Sequence, residues 1–123
     1  RIALHQIYDR YHLPVLVSEC GLGAYDKVEV DGTVKDDYRI DYLKEHILQL
    51  KESIKDGVDV FGFFTWSYAD IVSQTTSEFS KRYGFIYVDC DDYGHGTFER
   101  LPKKSYFWYK KVIASNGENL DEA

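Results

Sequence analysis

Between Ser73 and Tyr83 the chain offers a hydroxyl, an ammonium and a phenol, at Ser73, Lys81 and Tyr83. Such a set suits a dianionic oxygen cluster such as a phosphate: lysine supplies charge and the hydroxyls supply directional donors. Taken by themselves, three residues of these types this close are more often ordinary surface and turn residues. Two further groups stand at the ends of apolar runs. Glu19 follows Leu13-Pro14-Val15-Leu16-Val17, and Trp66 follows the run from Val58 to Phe64. A carboxylate beside an aromatic plate is sugar chemistry, because the ring stacks on pyranose C–H faces while the carboxylate attacks or stabilises an anomeric carbon. The pattern leaves plainer readings open, a strand-end carboxylate capping loop amides for Glu19 and a core aromatic for Trp66.

The elements that must position these residues follow from hydrophobic spacing. Ile2, Leu4, Ile7, Tyr8 and Tyr11 repeat at helical intervals over residues 2–12. The run from Leu13 to Val17, entered through Pro14, reads as a strand buried on both faces. Gly21 and Gly23 break it, and a polar segment to about Asp36, with an Asp31-Gly32 turn signal, reads as a long loop or small hairpin. From Asp37 to Asp56, Ile40, Leu43, Ile47, Leu50 and Ile54 form one helical stripe, with Asp36 or Asp37 as N-cap and Gly57 at the end. Val58 to Phe64 is a second buried strand, Phe85 to Val88 another, and Tyr93-Gly94-His95-Gly96 a turn. A last amphipathic helix runs from Lys103 to about Ser115 through Tyr106, Tyr109, Val112 and Ile113, and the polar tail from Asn116 is expected to fray. Strand, helix, strand, helix is a βαβα unit, with parallel strands and a right-handed crossover. Two parallel strands are not a finished sheet, so the expected fold is α/β and part of a larger sheet or barrel. Parallel strands at a spacing of about 4.8 Å would set Glu19 and Trp66 at one mouth, at the strand C-termini where α/β barrels place their sites.

Composition narrows the partners. A net charge of −6 and a pI near 5.1 argue against nucleic acid, and no apolar window reaches the length of a membrane span. Lys103-Lys104 and Lys110-Lys111 read as a helix face. Cys20 and Cys90 form neither a disulfide framework nor a metal spacing, which favours a reduced, cytoplasmic setting. His5, His12, His46 and His95 are scattered and read as structural or surface residues. The chain starts at Arg1 and has no methionine, so a processed product or a piece of a larger protein is expected.

Several segments, in order, resemble glycoside hydrolase family 1. Leu16-Val17-Ser18-Glu19-Cys20-Gly21-Leu22-Gly23 looks like its nucleophile segment, Asp37 to Leu43 with His46 its next helix, and Gly57-Val58 through Thr65-Trp66-Ser67 its eighth barrel strand. Lys81-Arg82-Tyr83-Gly84-Phe85-Ile86-Tyr87-Val88-Asp89 and the ending Lys104-Ser105-Tyr106-Phe107-Trp108-Tyr109-Lys110 resemble its 6-phospho-β-glucosidase branch. The resemblance implies that residues 1–117 are the C-terminal βαβα portion, strands seven and eight with their helices, of a single (β/α)8 TIM-barrel domain, with 118–123 a polar tail. It implies a retaining mechanism in which Glu19 is the nucleophile, Trp66 walls the sugar subsite, and Ser73, Lys81 and Tyr83 hold a 6-phosphate. The implied partners are a phosphorylated β-glucoside and the remainder of the barrel, with no metal or organic cofactor.

Where members acting on plain sugars resemble Asp-Asn-Phe-Glu-Trp, this chain has Asp70-Ile71-Val72-Ser73-Gln74. A carboxylate there would repel a phosphate dianion by roughly 1–4 kcal/mol at a few ångströms; a serine donates instead. Two departures from the family stand out. Cys20 replaces the usual Asn after the nucleophile, and no Asn-Glu-Pro motif is present to supply the general acid. Retention needs two carboxyls about 5–5.5 Å apart, so this chain holds one of the pair. The alternatives are a 6-phospho-β-galactosidase, against which Gln74 argues because that branch resembles Ser-Trp here, and a non-catalytic remnant that binds sugar phosphate.

Overall fold

The computed structural model describes residues 1–121. Helix α1, Ile2–Tyr11, ends where His12 turns left-handed (φ 50°) and donates its amide to Tyr8. Strand β1, Val15–Val17, leads through a long loop to helix α2, Asp37–Lys55, and then to strand β2, Val60–Phe63. Within that loop a small hairpin closes around Gly32, bridging Val28 and Val34. β1 and β2 pair in parallel, Val17 opposite Phe63, with an irregularity after Val15. Strand β3, Ile86–Val88, follows.

The chain then turns at Tyr93 to Gly96, as its glycines announced, and returns as a strand its spacing did not. Strand β4, Arg100–Pro102, pairs antiparallel with β3, although three residues ending in proline carry no alternation to read. The intervening loop is tied by its own acids: Asp91 accepts the amides of Tyr93 and His95, and Asp89 accepts Thr97. Helix α3, Lys104–Ala114, closes the described fold.

One core lies between α2, α3 and the strands. Ile40, Leu43 and Ile47 pack with Phe85, Trp108, Val112 and Leu120. The expected stripe of α2 holds at Ile40, Leu43 and Ile47, that of α3 is buried only at Val112, and α1 buries none of its residues. Ile54, Tyr106 and Ile113 are exposed, while Ser53, Ser105 and Trp108 are buried. The tail does not fray at Asn116. The Gly117 amide closes α3 by bonding Val112, and Leu120 is buried, its carbonyl accepting the Trp108 indole N–H. An apolar residue six positions past the end of α3 holds the segment; residues 122–123 of the expected tail lie outside the described ones.

Two other expectations are corrected. β1 and β2 are not covered on both faces: helices cover one, and Leu16 and Phe61 point outward, Phe61 at 66% exposure. Asp36 stands at the N-cap of α2 but makes no cap bond there. Its carboxylate turns instead to Arg39 and to the backbone N–H of Ser105 at 2.9 Å, the first turn of α3.

Candidate active-site cleft

The parallel ladder continues past the strand ends. Phe64 donates to Val17 and Trp66 donates to Cys20, both at 2.8 Å, so the residues after each strand rise side by side. Gly21 permits this approach, because a Cβ there would lie 1.8 Å from the Trp66 carbonyl oxygen. The Trp66–Ser67 peptide is cis. Glu19 and Trp66 consequently face one open cleft of about 730 Å³, together with Tyr42, His46, Gln74, Thr75 and Tyr83. Burial pushes the Cys20 thiol up, against the opposing effect of its hydrogen bond with Tyr42. Cys20 therefore stays a neutral thiol beside Glu19 and adds no charge to the carboxylate's surroundings.

Lys81 and Tyr83 stand together. Lys81 Nζ lies 5.9 Å from the Tyr83 ring centroid, and both side chains crowd Gly23, where a Cβ would sit 2.5 Å from Tyr83 Cζ and 2.9 Å from Lys81 Cε. Their segment is fastened to the loop after Glu19 by a reciprocal pair of bonds between Ala24 and Arg82, at 2.9 and 2.7 Å. Ser73 behaves differently from its expected partners. It is buried, accepts the Thr76 hydroxyl at 3.0 Å, and stands 3.4 Å from that of Thr75. Its neighbours Gln74 and Thr75, rather than Ser73 itself, line the cleft.

Beneath the cleft runs a set of buried charges that hydrophobic spacing gave no sign of. Lys103, read as part of a helix face, is wholly buried and bonds Asp26 and Asp70. Arg82 Nη1 bonds Asp70 at 2.9 Å, and Arg39 bonds Asp26 at 3.1 Å and Asp36. Three carboxylates and three cations balance, as buried ions must. Asp36 and Lys103 flank helices α2 and α3, whereas Asp26 and Asp70 lie within loops. Among the described residues, no cluster of His, Cys, Asp and Glu is arranged to hold a metal ion, and no helix is long and apolar enough to cross a membrane.

A carboxylate and an indole at adjacent parallel strand ends share one cleft with the Tyr83 phenol, against which Lys81 stands, on an α/β unit. The model of glycosyl hydrolase family 1 matches residues 1–118, and the chain belongs to that family. It is 56% identical over 120 residues to the aryl-phospho-β-D-glucosidase BglH of Bacillus subtilis, covering 98% of this chain and 26% of that protein. Against the 6-phospho-β-glucosidase AscB of Escherichia coli it is 54% identical over 121 residues, again 98% and 26%. The β-glucosidase of Thermotoga maritima superposes with a TM-score of 0.85 at 37% identity, over 96% of this chain and 26% of that one. The chain thus spans about a quarter of the length of the relatives it matches.

Proposed function

We propose that these residues form strands seven and eight, with their helices, of a (β/α)8 barrel whose complete form hydrolyses 6-phospho-β-glucosides with retention of configuration. The observation that carries this reading is the shared cleft: Glu19, Trp66 and Tyr83 line it, and Lys81 stands against Tyr83. Relatives named as 6-phospho-β-glucosidases support the substrate class.

In this mechanism a Glu19 carboxylate oxygen attacks the anomeric carbon as the glycosidic C–O bond breaks. The leaving oxygen takes a proton from a general acid outside the chain described. Water, deprotonated by that same group, then displaces Glu19 and returns it as a carboxylate. Trp66 offers its face to the sugar ring. Lys81 and Tyr83 hold the 6-phosphate with charge-assisted bonds, and Ser73 joins them from the facing loop. Gln74 in the cleft wall favours the gluco over the galacto reading. A free-standing sugar-phosphate module is disfavoured by the bare outer face at Leu16 and Phe61.

The test is turnover by the complete polypeptide of an aryl 6-phospho-β-glucoside, its galacto epimer and the plain aryl glucoside. Two or more charge-assisted bonds at roughly 1.5–3 kcal/mol each predict a kcat/KM preference for the phosphorylated glucoside of at least about a hundredfold. Equal or faster turnover of the plain sugar overturns the phosphate reading, and preference for the epimer overturns the gluco assignment.

A further inference from the structure

Phosphate recognition of the kind proposed needs two chain segments at a fixed separation, one carrying Ser73 and the other Lys81 and Tyr83. Backbone bonds join the stretch before Ser73 to the one after Lys81, Asp70 N–H to the Ile86 carbonyl at 2.9 Å and Phe85 N–H to that of Tyr68 at 3.0 Å, while the Ser73 hydroxyl bonds within its own loop. A side-chain tie lies beneath this ladder. Asp70, three positions before Ser73, is fully buried and has both oxygens doubly engaged. Oδ1 accepts Lys103 Nζ at 2.6 Å and the Gly84 amide at 3.0 Å, while Oδ2 accepts Arg82 Nη1 at 2.9 Å and the Val88 amide at 3.3 Å. Three of these donors belong to the segment that follows Lys81.

Arg82 sits between Lys81 and Tyr83, and successive side chains of an extended segment point to opposite faces. Its guanidinium is held inward by Asp70, by the carbonyls of Val88 and Cys90 at 2.7 and 3.0 Å, and over the Tyr87 ring at 3.9 Å. With Arg82 anchored inward, Lys81 and Tyr83 are turned outward. Gly84 allows no slack in the join, because a Cβ there would meet the Ala69 carbonyl carbon at 2.2 Å and the Asp70 nitrogen at 2.4 Å. Lys103 extends the tie by bonding Asp26, three residues beyond the Gly23 that backs Lys81 and Tyr83. Every cation of this buried set is matched by a carboxylate. Lys81 has no carboxylate at ion-pairing distance among the described residues, so its charge remains for a ligand.

We propose that Asp70 is a positioning residue for substrate specificity, which through Arg82 and Lys103 fixes the Ser73 loop against Lys81 and Tyr83 and so sets the width of the phosphate recess. The inference rests on the phosphate reading above, and the experiment separates the two. In the complete protein, Asp70→Asn keeps the shape of the side chain but opposes an amide to donors. KM for the aryl 6-phospho-β-glucoside is expected to rise at least tenfold, and the phosphorylated-to-plain ratio of kcat/KM to fall at least tenfold. Competitive inhibition by inorganic phosphate should weaken in parallel. Arg82→Lys, which keeps the charge and loses the fork, should shift the same ratio and serves if Asp70→Asn does not fold. Equal loss on both substrates, or an unchanged ratio in the variant that folds, overturns the proposal, since a merely structural role would not discriminate between substrates. Lys81→Ala is the control. If it raises KM for the phosphorylated substrate while Asp70→Asn and Arg82→Lys leave the ratio unmoved, the positioning inference alone fails. If Lys81→Ala leaves that KM unchanged, the phosphate reading fails and takes the inference with it.

Discussion

Glu19 stands two residues beyond β1, exposed to a cleft that also carries Glu45, His46, Gln74 and Tyr83. As the proposed nucleophile, Glu19 acts in its ionised form and needs no activation beyond it. Glu19→Gln in the complete protein is expected to lower kcat by about a thousandfold or more, read in a discontinuous assay of released aglycone; retention of more than a tenth of the activity would remove Glu19 from the mechanism. Glu19 and Trp66 were legible from sequence because their place is set by where a strand stops. Ser73 was legible as a residue type but not as a geometry, since a hydroxyl that turns back onto Thr76 leaves no trace in the spacing. Thr75 passed unnoticed for the same reason: a cleft wall is a property of where a loop folds, not of its composition.

The elements divide in the same way. α2 follows from apolar periodicity because Ile40, Leu43 and Ile47 form one stripe against α3, whereas on α3 the periodicity gave Val112 but not Trp108. Trp108, with no exposed surface and an indole N–H committed to Leu120, is the keystone of that contact. Trp108→Ala should destabilise the protein by about 3–5 kcal/mol, visible as a lower urea midpoint; an unmoved midpoint would mean that the α2–α3 core is not limiting. β4 and the inward turn of Lys103 were not legible. A three-residue strand is specified by its partner β3, and a buried lysine by carboxylates distant in sequence, so neither has a local signature.

For the molecule as a whole, the balance of charge has a pH consequence. Burial pushes the Tyr38 hydroxyl well above its ordinary value of 10, with its hydrogen bond to Asp26 and that carboxylate's charge adding to the effect. The stability it contributes is fully present below pH about 10 and is lost as pH rises towards the folded-state value, since the unfolded chain releases the proton first. Tyr38→Phe should therefore flatten the fall in Tm between about pH 9 and 11 relative to the parent protein, in a melting series across that range; parallel curves would refute the linkage. The bare faces at Leu16, Phe61 and Phe64 set a different requirement, for apolar cover that these residues do not supply themselves. Asp36 has the widest reach. As the residue at which α2 starts, it also occupies the amide end of α3, near the opposite end of the chain. One carboxylate thus serves as a common origin for two helices, and unwinding the first turn of either strips a partner from the other. Local opening of one helix thereby raises the free energy of the other's closed state, coupling the two.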